Sequence, residues 1–336
     1  MKTTLWGTQP DGESIHLYEL ANQALRVRVT NFGARLAGVD AADRNGHITN
    51  VVLGLDSYAD YRADKAFLGA LCGRYANRLA DGRFSIDGED FRIPANNGRN
   101  ALHGGAHGFA TLAWRGEVLA PNSVEFTMLS ADGDQGFPGE LTAKVRYTLE
   151  DHSLRLDYTA TTTRPTVLNL TNHAYFNLSG DFSRSVLDHV VRLNASRFTP
   201  TDDTSIPTGE LRSVEGTPFD FRTPHTIGER IEQQDVQLVQ ARGYDHNYVL
   251  DSEDFAEVYE PSTGRTLHVL TTQPGVQFYS GNYIDAAEPV HYGARTGFCL
   301  ETQHFPDSPN HPQFPSTVLR PGETFRSHTI FTFGAR

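Results

Sequence analysis

Short stretches of alternating hydrophobic and polar residues recur along the chain and are its main secondary-structure signal. A two-residue period places successive side chains on opposite faces of a β-strand. Turn-forming pairs such as Asp-Gly and Pro-Gly separate many of these stretches. The pattern predicts strands over 24–30, 83–88, 123–129, 143–149, 153–160 and 324–333.

Helical periodicity is scarce by comparison. Only the segments 57–71 and 225–236 carry a pattern that predicts a short helical turn or two. No low-complexity tract, charge run or Pro/Ser linker divides the chain, and no internal repeat is visible. The sequence therefore predicts an all-β fold, a large antiparallel β-sandwich that forms a single domain over 1–336.

Composition and charge narrow the class of partner. Hydrophobic residues make up 38% of the chain, enough for a large core. A formal net charge of −12 argues against nucleic acid or an anionic membrane surface as partner and favours a neutral small molecule. The sequence has no membrane-length apolar run and no export signal at its first residues. We therefore expect a cytoplasmic protein that is a monomer or weak homodimer.

Several chemistries lack the motifs that they require. The chain has no Gly-x-Gly for a dinucleotide, no Gly-Lys pair for a phosphate-binding loop and no Gly-x-Ser-x-Gly elbow for a serine nucleophile. Its three lysines, Lys2, Lys65 and Lys144, lie in no loop that indicates a Schiff base. We expect catalysis, if present, to need no cofactor.

Two further groups of residues are interpreted as structural. Cys72 and Cys299 sit among apolar residues and are expected to pack in the core rather than form a disulfide. His103 and His107 have the four-residue spacing of a helical zinc site, but the glycines of LHGGAHG disfavour a helix there. We expect no metal site.

The stretch NLTNHAYFNLSG (169–180) alternates in a way that admits two interpretations. At a two-residue period His173 and Tyr175 share a polar face with Asn169, Thr171 and Asn177. That face could be solvated, as in many antiparallel strands, or could form part of a binding site. Asn172 lies on the opposite, mostly apolar face, where it is expected to hold backbone or loop structure.

Other polar residues in turn-rich or strand-end settings also have two interpretations. Arg78 could be a surface charge, His103 a turn histidine, Asp245 an acceptor in an Asx turn and Gln277 an amide facing a strand ladder. Glu301 is the exception, because it lies in the apolar strand start FCLETQ. A carboxylate there needs a hydrogen-bonding partner or has a raised proton affinity, and both conditions suit a general base.

Nine sequence blocks together carry a resemblance to the galactose mutarotase (aldose 1-epimerase) family. They follow the order and spacing of that family over nearly the whole chain. The blocks are NVVLGLDSYADY, GALCGRYANRLADGRFSIDG, NALHGG, DGDQGFPGEL, NLTNHAYFNLSG, IPTGEL with PFDFR, GYDHNYVL, PGVQFYSGNY and GFCLETQHFPDSPNHPQFPSTVLRPGE.

The resemblance implies a large antiparallel supersandwich that binds a free aldose in an open cleft and interconverts its α and β anomers. It implies that Glu301 is the general base and that His173 is the general acid. His103 would lie near the ring oxygen, position the sugar and stabilise developing charge. The remaining implied contacts are Asn77, Arg78, Asp245 and Gln277 to sugar hydroxyls, and Tyr175 as a wall of the cleft.

Two alternatives remain at this point. A mutarotase for sugar phosphates would need a basic pocket, and the motifs contain Arg78 but no lysine expected near it. A carbohydrate-binding protein without turnover could keep Arg78 and Asp245 but would not need both His173 and Glu301. The sequence favours the mutarotase over either alternative.

Overall fold

The computed structural model of the protein describes residues 1–285 and 289–336. Within these residues the chain forms three antiparallel sheets of five, nine and six strands, together with four two-stranded ladders. The five-stranded sheet contains, in spatial order, Lys2–Thr8, Ser14–Ala21, Leu25–Thr30, Arg35–Ala42 and Ile48–Asn50. The all-β prediction is confirmed.

The nine-stranded sheet is the largest, and it contains four of the six strands predicted from alternation. Its strands, in spatial order, are Arg115–Ala120, Ser123–Ser130, Leu141–Glu150, Ser153–Thr162, Phe325–Ala335, Arg265–Thr271, Asp254–Tyr259, Val190–Leu193 and His225–Thr226. In Ser153–Thr162 even-numbered positions are buried, whereas most odd-numbered positions are partly exposed. This burial pattern follows directly from the alternation in the sequence.

The six-stranded sheet carries four of the eight residues implied in the site, Tyr175, Asp245, Gln277 and Glu301. Its strands, in spatial order, are Tyr175–Phe176, Phe298–Gln303, Gly275–Tyr279, Asp245–Val249, Arg197–Thr199 and Arg212–Ser213. The two-stranded ladders pair Ala101–Leu102 with Arg78–Leu79, Thr166–Val167 with Val318–Leu319, Thr171–Asn172 with Leu71–Cys72, and Arg83–Ile86 with Glu89–Arg92.

Helices are short, as the sequence predicts. Tyr58–Ala63 lies inside the predicted segment, and Ser57 caps it by accepting a hydrogen bond from the Asp60 amide. The second segment, 225–236, contains a short 3₁₀ turn, and the α-helix Val236–Ala241 begins only at its last residue. The remaining 3₁₀ turns are Ala80–Gly82, Phe109–Thr111, Asp134–Gly136 and Ser308–Asn310. In the described part of the chain no helix has both the length and the hydropathy needed to cross a bilayer.

One continuous hydrophobic cluster joins the three sheets. It includes Val27 from the five-stranded sheet, Leu156 from the nine-stranded sheet and Phe278 from the six-stranded sheet, all fully buried. Burying side chains of this size contributes about 1.5–3 kcal/mol each. The shared core therefore fixes the six-stranded sheet against the other two.

The stretch 169–180 departs from the single strand that its alternation predicts. Thr171–Asn172 pairs with Leu71–Cys72, whereas Tyr175–Phe176 pairs with Phe298 and Cys299 of another strand. The chain changes partner at His173, which is why no single ladder runs through the segment. The predicted faces are nevertheless kept, since Ala174 and Phe176 belong to the core cluster. The solvated interpretation is wrong, because every residue from 169 to 178 is buried.

Candidate active site

A cavity of about 210 Å³ is lined by residues from four of the strands of the six-stranded sheet and from neighbouring loops. This volume is below the range of about 300–1,000 Å³ that drug-sized ligands occupy, and it therefore suits a smaller molecule. Seven of the eight residues implied by the sequence line the cavity: Asn77, Arg78, His103, His173, Tyr175, Asp245 and Glu301. The eighth, Gln277, lies directly behind Asp245 and donates a hydrogen bond to it.

Glu301 lies in the strand Phe298–Gln303, with Gln277 directly opposite on the neighbouring strand. Only 2% of its side chain is exposed. Oε2 is buried and has no hydrogen-bond partner within the described residues. Burial, with a smaller contribution from the nearby Asp245 carboxylate, holds the pKa of Glu301 well above its ordinary value.

His173 faces Glu301 across the cavity base. Its Nε2 atom lies 3.6 Å from Oε1 of Glu301, and its Nδ1 atom lies 3.5 Å from the thiol of Cys299. Burial lowers the pKa of the His173 ring to about 4. Because burial opposes charge on both partners, the His173–Glu301 pair favours a state that holds one proton and carries no net charge.

His103 supplies the second imidazole of the site. Its Nδ1 atom accepts a hydrogen bond from the backbone amide of Asn77 at 3.2 Å. Burial, with smaller contributions from His173 and Arg78, holds the pKa of His103 well below its ordinary value. A neutral ring whose Nδ1 atom accepts must carry its proton on Nε2, so His103 is a hydrogen-bond donor.

Arg78 and Asp245 provide charged groups on two other sides of the cavity. The Nε atom of Arg78 donates to Oδ1 of Asn97, and Asn77 positions Arg78 by accepting a hydrogen bond from its backbone amide. Asp245 accepts from Nε2 of Gln277 at 2.7 Å. Burial raises the pKa of Asp245, although Arg78 and the Gln277 hydrogen bond oppose that shift. Ionic groups such as these make strong hydrogen bonds to neutral hydroxyls.

The model of the family described as aldose 1-epimerase matches residues 16–332. The chain is also 41% identical to the galactose mutarotase of Bos taurus over 338 residues, which cover 98% of this chain and 97% of that protein. The chain belongs to the aldose 1-epimerase family. It is therefore an isomerase that interconverts aldose anomers, and the alternative of a binding protein without turnover loses its support.

Other relatives agree with this family assignment. The aldose 1-epimerase of Escherichia coli (strain K12) is 39% identical over 338 residues, with 96% of each chain covered. The crystal structure of galactose 1-epimerase from Lactobacillus acidophilus NCFM has a TM-score of 0.89 at 28% identity and covers 99% of this chain and 98% of that chain. An aldose epimerase homologue from C. elegans has a TM-score of 0.88 at 31% identity, covering 95% and 98%.

Sequence reasoning missed several residues that line the epimerase's cavity. They are Lys65, Ala66, Phe67, Asn97, Leu102, Tyr279 and Tyr283. Tyr279 shares a strand face with Gln277, so period-two reasoning from Gln277 could have found it. Lys65 and Phe67 lie in a loop, where no periodic signal exists. The expectation that no lysine lies near Arg78 is wrong, since both side chains line the same cavity.

A cluster of possible metal ligands involves only one of the histidines that the sequence singled out for zinc. Gly104 and Gly105 adopt positive φ, which breaks any helix between His103 and His107. Instead, one nitrogen or oxygen each from His103, His173 and Glu301 lies within 4.8 Å of the other two. Among residues 1–285 and 289–336 these three could hold a metal, and they are also the three residues to which the family resemblance gives catalytic roles.

Proposed function

We propose that His173 and Glu301 are the acid–base pair with which the epimerase opens and recloses the ring of a free aldose such as galactose or glucose. The observation that carries this proposal is the 3.6 Å approach of Nε2 to Oε1 at the base of a sugar-sized cavity. One proton shared by a buried acid and base is what anomer interconversion requires.

The reaction breaks and reforms one C–O bond. Glu301, in its ionised form, accepts the proton from O1 of the sugar, while protonated His173 delivers a proton to the ring oxygen O5. The C1–O5 bond then breaks to give the open-chain aldehyde, and rotation about C1–C2 presents its other face. On reclosure the two residues exchange roles, so the enzyme returns to its starting state with no cofactor consumed.

The pKa directions of the two side chains put the shared proton on Glu301 and leave His173 neutral, which is the reverse of the form that starts the reaction. A proton on Glu301 with neutral His173, and a proton on His173 with ionised Glu301, are two forms of the same overall charge. A bound sugar brings hydroxyl donors to the carboxylate, which favours the second form. Low proton affinity makes the His173 imidazolium a strong acid towards O5, because burial lowers its pKa to about 4.

The other residues hold the sugar in place. We propose that His103 donates from Nε2 to the ring oxygen, since Asn77 occupies its Nδ1 atom. Arg78 and Asp245 would bind sugar hydroxyls, together with Asn77 and Gln277. Tyr175 would form a wall, and it is fixed by the hydrogen bond from its hydroxyl to the Ala66 carbonyl at 2.9 Å.

Polarimetry on freshly dissolved α-galactose and α-glucose tests this function. The purified protein should speed the drift of optical rotation well beyond the rate in buffer, and His173→Gln should remove most of that gain. No acceleration by the wild-type protein with either sugar would overturn the proposed substrate class. A full rate in the His173→Gln variant would overturn the assignment of the acid.

Lys65 supports a second candidate, an activity on aldose phosphates. Its side chain is exposed at the cavity and makes no ion pair within residues 1–285 and 289–336. With Arg78 it could bind a phosphate dianion. Polarimetry with α-glucose 6-phosphate and α-glucose, on wild type, Lys65→Ala and the distant Lys144→Ala, separates the candidates. Only a phosphate-specific loss in Lys65→Ala supports this second activity.

We also propose that the chain functions as one domain over 1–336, as a monomer or weak homodimer in the cytoplasm. The hydrophobic cluster shared by all three sheets supports a single domain. The two free thiols, Cys72 and Cys299, are compatible with a reducing compartment. Light scattering on the purified protein and fractionation of cells would test the oligomeric state and the location.

A further inference from the structure

Phe67 has a backbone conformation that bulky residues rarely adopt. Its φ angle is +58°, in the left-handed region. Strain of this kind persists only where the surrounding structure enforces it, and it concentrates at functional sites. Phe67 lies in the segment 64–70, called here the histidine loop because it packs beside His103 and His173. The side chain of Phe67 lines the cavity.

A buried ion pair holds the start of the histidine loop. Nη1 of Arg35 lies 2.6 Å from Oδ2 of Asp64, and both side chains are almost completely buried. The same nitrogen of Arg35 donates to the Leu68 carbonyl at 2.9 Å. Asp64 also accepts hydrogen bonds from the amides of Ala66 and Leu68. The backbone on both sides of Phe67 is thereby fixed.

The end of the histidine loop is bonded to the backbone of His173. The amide of His173 donates to the Ala70 carbonyl at 2.8 Å, and the amide of Gly69 donates to the His173 carbonyl at 3.0 Å. Gly69 has positive φ, and a Cβ atom there would lie 1.9 Å from the Leu36 carbonyl oxygen. No larger residue fits, so this close approach of the loop depends on glycine.

The ring of Phe67 contacts both imidazoles of the site. Its centroid lies 4.6 Å from that of His103 and 6.1 Å from that of His173, and it is nearly parallel to the His173 ring. The two imidazoles meet edge to face at 5.3 Å. Each of the three rings therefore lies against the other two.

We propose that Phe67 is a positioning residue that fixes the mutual orientation of His103 and His173 and screens both rings from water. This inference rests on the proposed function for the roles of the two histidines. It adds a residue outside the acid–base and sugar-binding set, whose contribution is made through the two imidazoles. The strained backbone is the conformation that brings the Phe67 ring over both of them.

Other titratable and charged groups also face the two imidazoles, so a change at Phe67 must be separated from their effects. These groups are Glu301 and Cys299 from one strand, Asp245 and Tyr279 from two neighbouring strands, Tyr175 beside His173, Arg78 beside His103, and Asp64, Lys65 and Arg35 around the histidine loop. Substitution of Phe67 by an uncharged residue leaves all of them in place.

The test compares Phe67→Ala and Phe67→Leu with Phe91→Leu, a partly buried phenylalanine that stacks on Phe84 in a distant hairpin. We expect kcat to fall by about 10- to 100-fold in Phe67→Ala, because sub-ångström positioning is lost, while KM changes little. NMR titration of the His103 and His173 rings, assigned with single His→Asn variants, should show both apparent pKa values raised as water enters. The kcat and the two apparent pKa values of Phe67→Leu should lie between those of wild type and Phe67→Ala. Those of Phe91→Leu should match wild type.

Unchanged kcat and unchanged titration of both histidines in folded Phe67→Ala would overturn the proposal. If Phe67→Ala does not fold, Phe67→Leu gives the same readouts, and Phe67→Gly relieves the backbone strain while removing the ring. A wild-type protein without epimerase activity would overturn the proposed function instead. The NMR titration would then still decide whether Phe67 screens the two imidazoles.

Discussion

Nε2 of His173 lies 3.6 Å from Oε1 of Glu301, with only 7% and 2% of the two side chains exposed. Glu301 lies in the strand Phe298–Gln303, whereas His173 lies just before the strand Tyr175–Phe176, and the two meet because Cys299 pairs with Tyr175. Their separation allows one proton to be shared through a bound sugar.

Glu301→Gln should remove turnover while leaving the sugar able to bind. The amide keeps the shape of the carboxylate but cannot accept the O1 proton, and loss of a positioned base costs about 10²- to 10⁴-fold in rate. Polarimetry measures the rate, and calorimetry with galactose measures binding. Glu215→Gln, at an exposed glutamate outside the cavity, is the control. A Glu301→Gln rate within tenfold of wild type would show that another group is the base.

His173→Ala and Asn172→Ala should separate catalysis from stability. His173→Ala removes the acid, so the rate should fall towards that of buffer. The Asn172 amide donates to the Gly69 carbonyl and to the hydroxyl of Tyr147 in the core. Leaving such acceptors unpaired costs about 1–3 kcal/mol, so Asn172→Ala should lower the free energy of unfolding in urea. If instead Asn172→Ala abolishes the rate and His173→Ala only lowers stability, the two side chains have exchanged faces.

Asp245→Ala should chiefly weaken sugar binding. The Asp245 carboxylate lines the cavity and is oriented by Gln277, but it lies outside the His173–Glu301 pair. Removing a contact that is equal in ground and transition states raises KM and leaves kcat nearly unchanged. Initial rates over a range of galactose concentrations give both constants. A fall in kcat with unchanged KM would instead assign Asp245 a direct part in the chemistry.

His246 should make stability depend on pH in a defined direction. Burial lowers the pKa of its ring to about 3, against 6.5 for an exposed histidine. Between these values the unfolded chain binds a proton that the folded protein does not, so stability rises with pH across this window. Urea unfolding from pH 4.5 to 6.0 should show this slope. His246→Asn should reduce it by up to about 1.4 kcal/mol per pH unit.

The control for this slope is His107→Asn, at an exposed turn histidine. It controls for the loss of a histidine without the loss of a buried ring. An unchanged slope in His246→Asn would mean that the His246 ring is protonated in the folded protein.

The buried ion pair under the histidine loop should be costly to break from one side. Asp64→Asn leaves the charge of Arg35 buried without its partner, and such changes cost about 3–5 kcal/mol. Urea unfolding measures the loss. The double variant Arg35→Met/Asp64→Leu should recover part of it, because no uncompensated charge remains. If the stability lost in the double variant equals the sum of the losses in Arg35→Met and Asp64→Leu measured singly, the two residues contribute through independent hydrogen bonds.

Sequence could predict the all-β class and half of the fourteen residues that line the cavity. Alternation alone located strands such as Ser153–Thr162, because one face of that strand packs on the core. It failed at His173, where the chain changes from one partner strand to another, since alternation does not report the identity of the partner. The placement of Glu301 required the apolar context of its strand and the family resemblance together.

Lys65 and Phe67 could not be predicted, for a physical reason. They lie in a loop whose conformation is set by the Arg35–Asp64 ion pair and by the close packing of Gly69 on Leu36. Such contacts join residues that are distant in sequence and leave no periodic signal. The pKa directions of His103 and His173 also depend on burial by this loop, which appears only in three dimensions.

The site has a buried part, which the hydrogen bonds of Tyr147 hold in place, and an exposed part at the mouth of the cavity. These two parts can change in evolution at different rates. Its hydroxyl donates to the Ala34 carbonyl and accepts from Asn172, so the backbone behind His173 is tied to a strand of the nine-stranded sheet. A substitution there disturbs three buried groups at once. Lys65 and Tyr283 at the mouth are exposed and can be exchanged with little cost. Divergence among descendants of this protein is therefore expected to alter the choice of sugar long before it alters the chemistry.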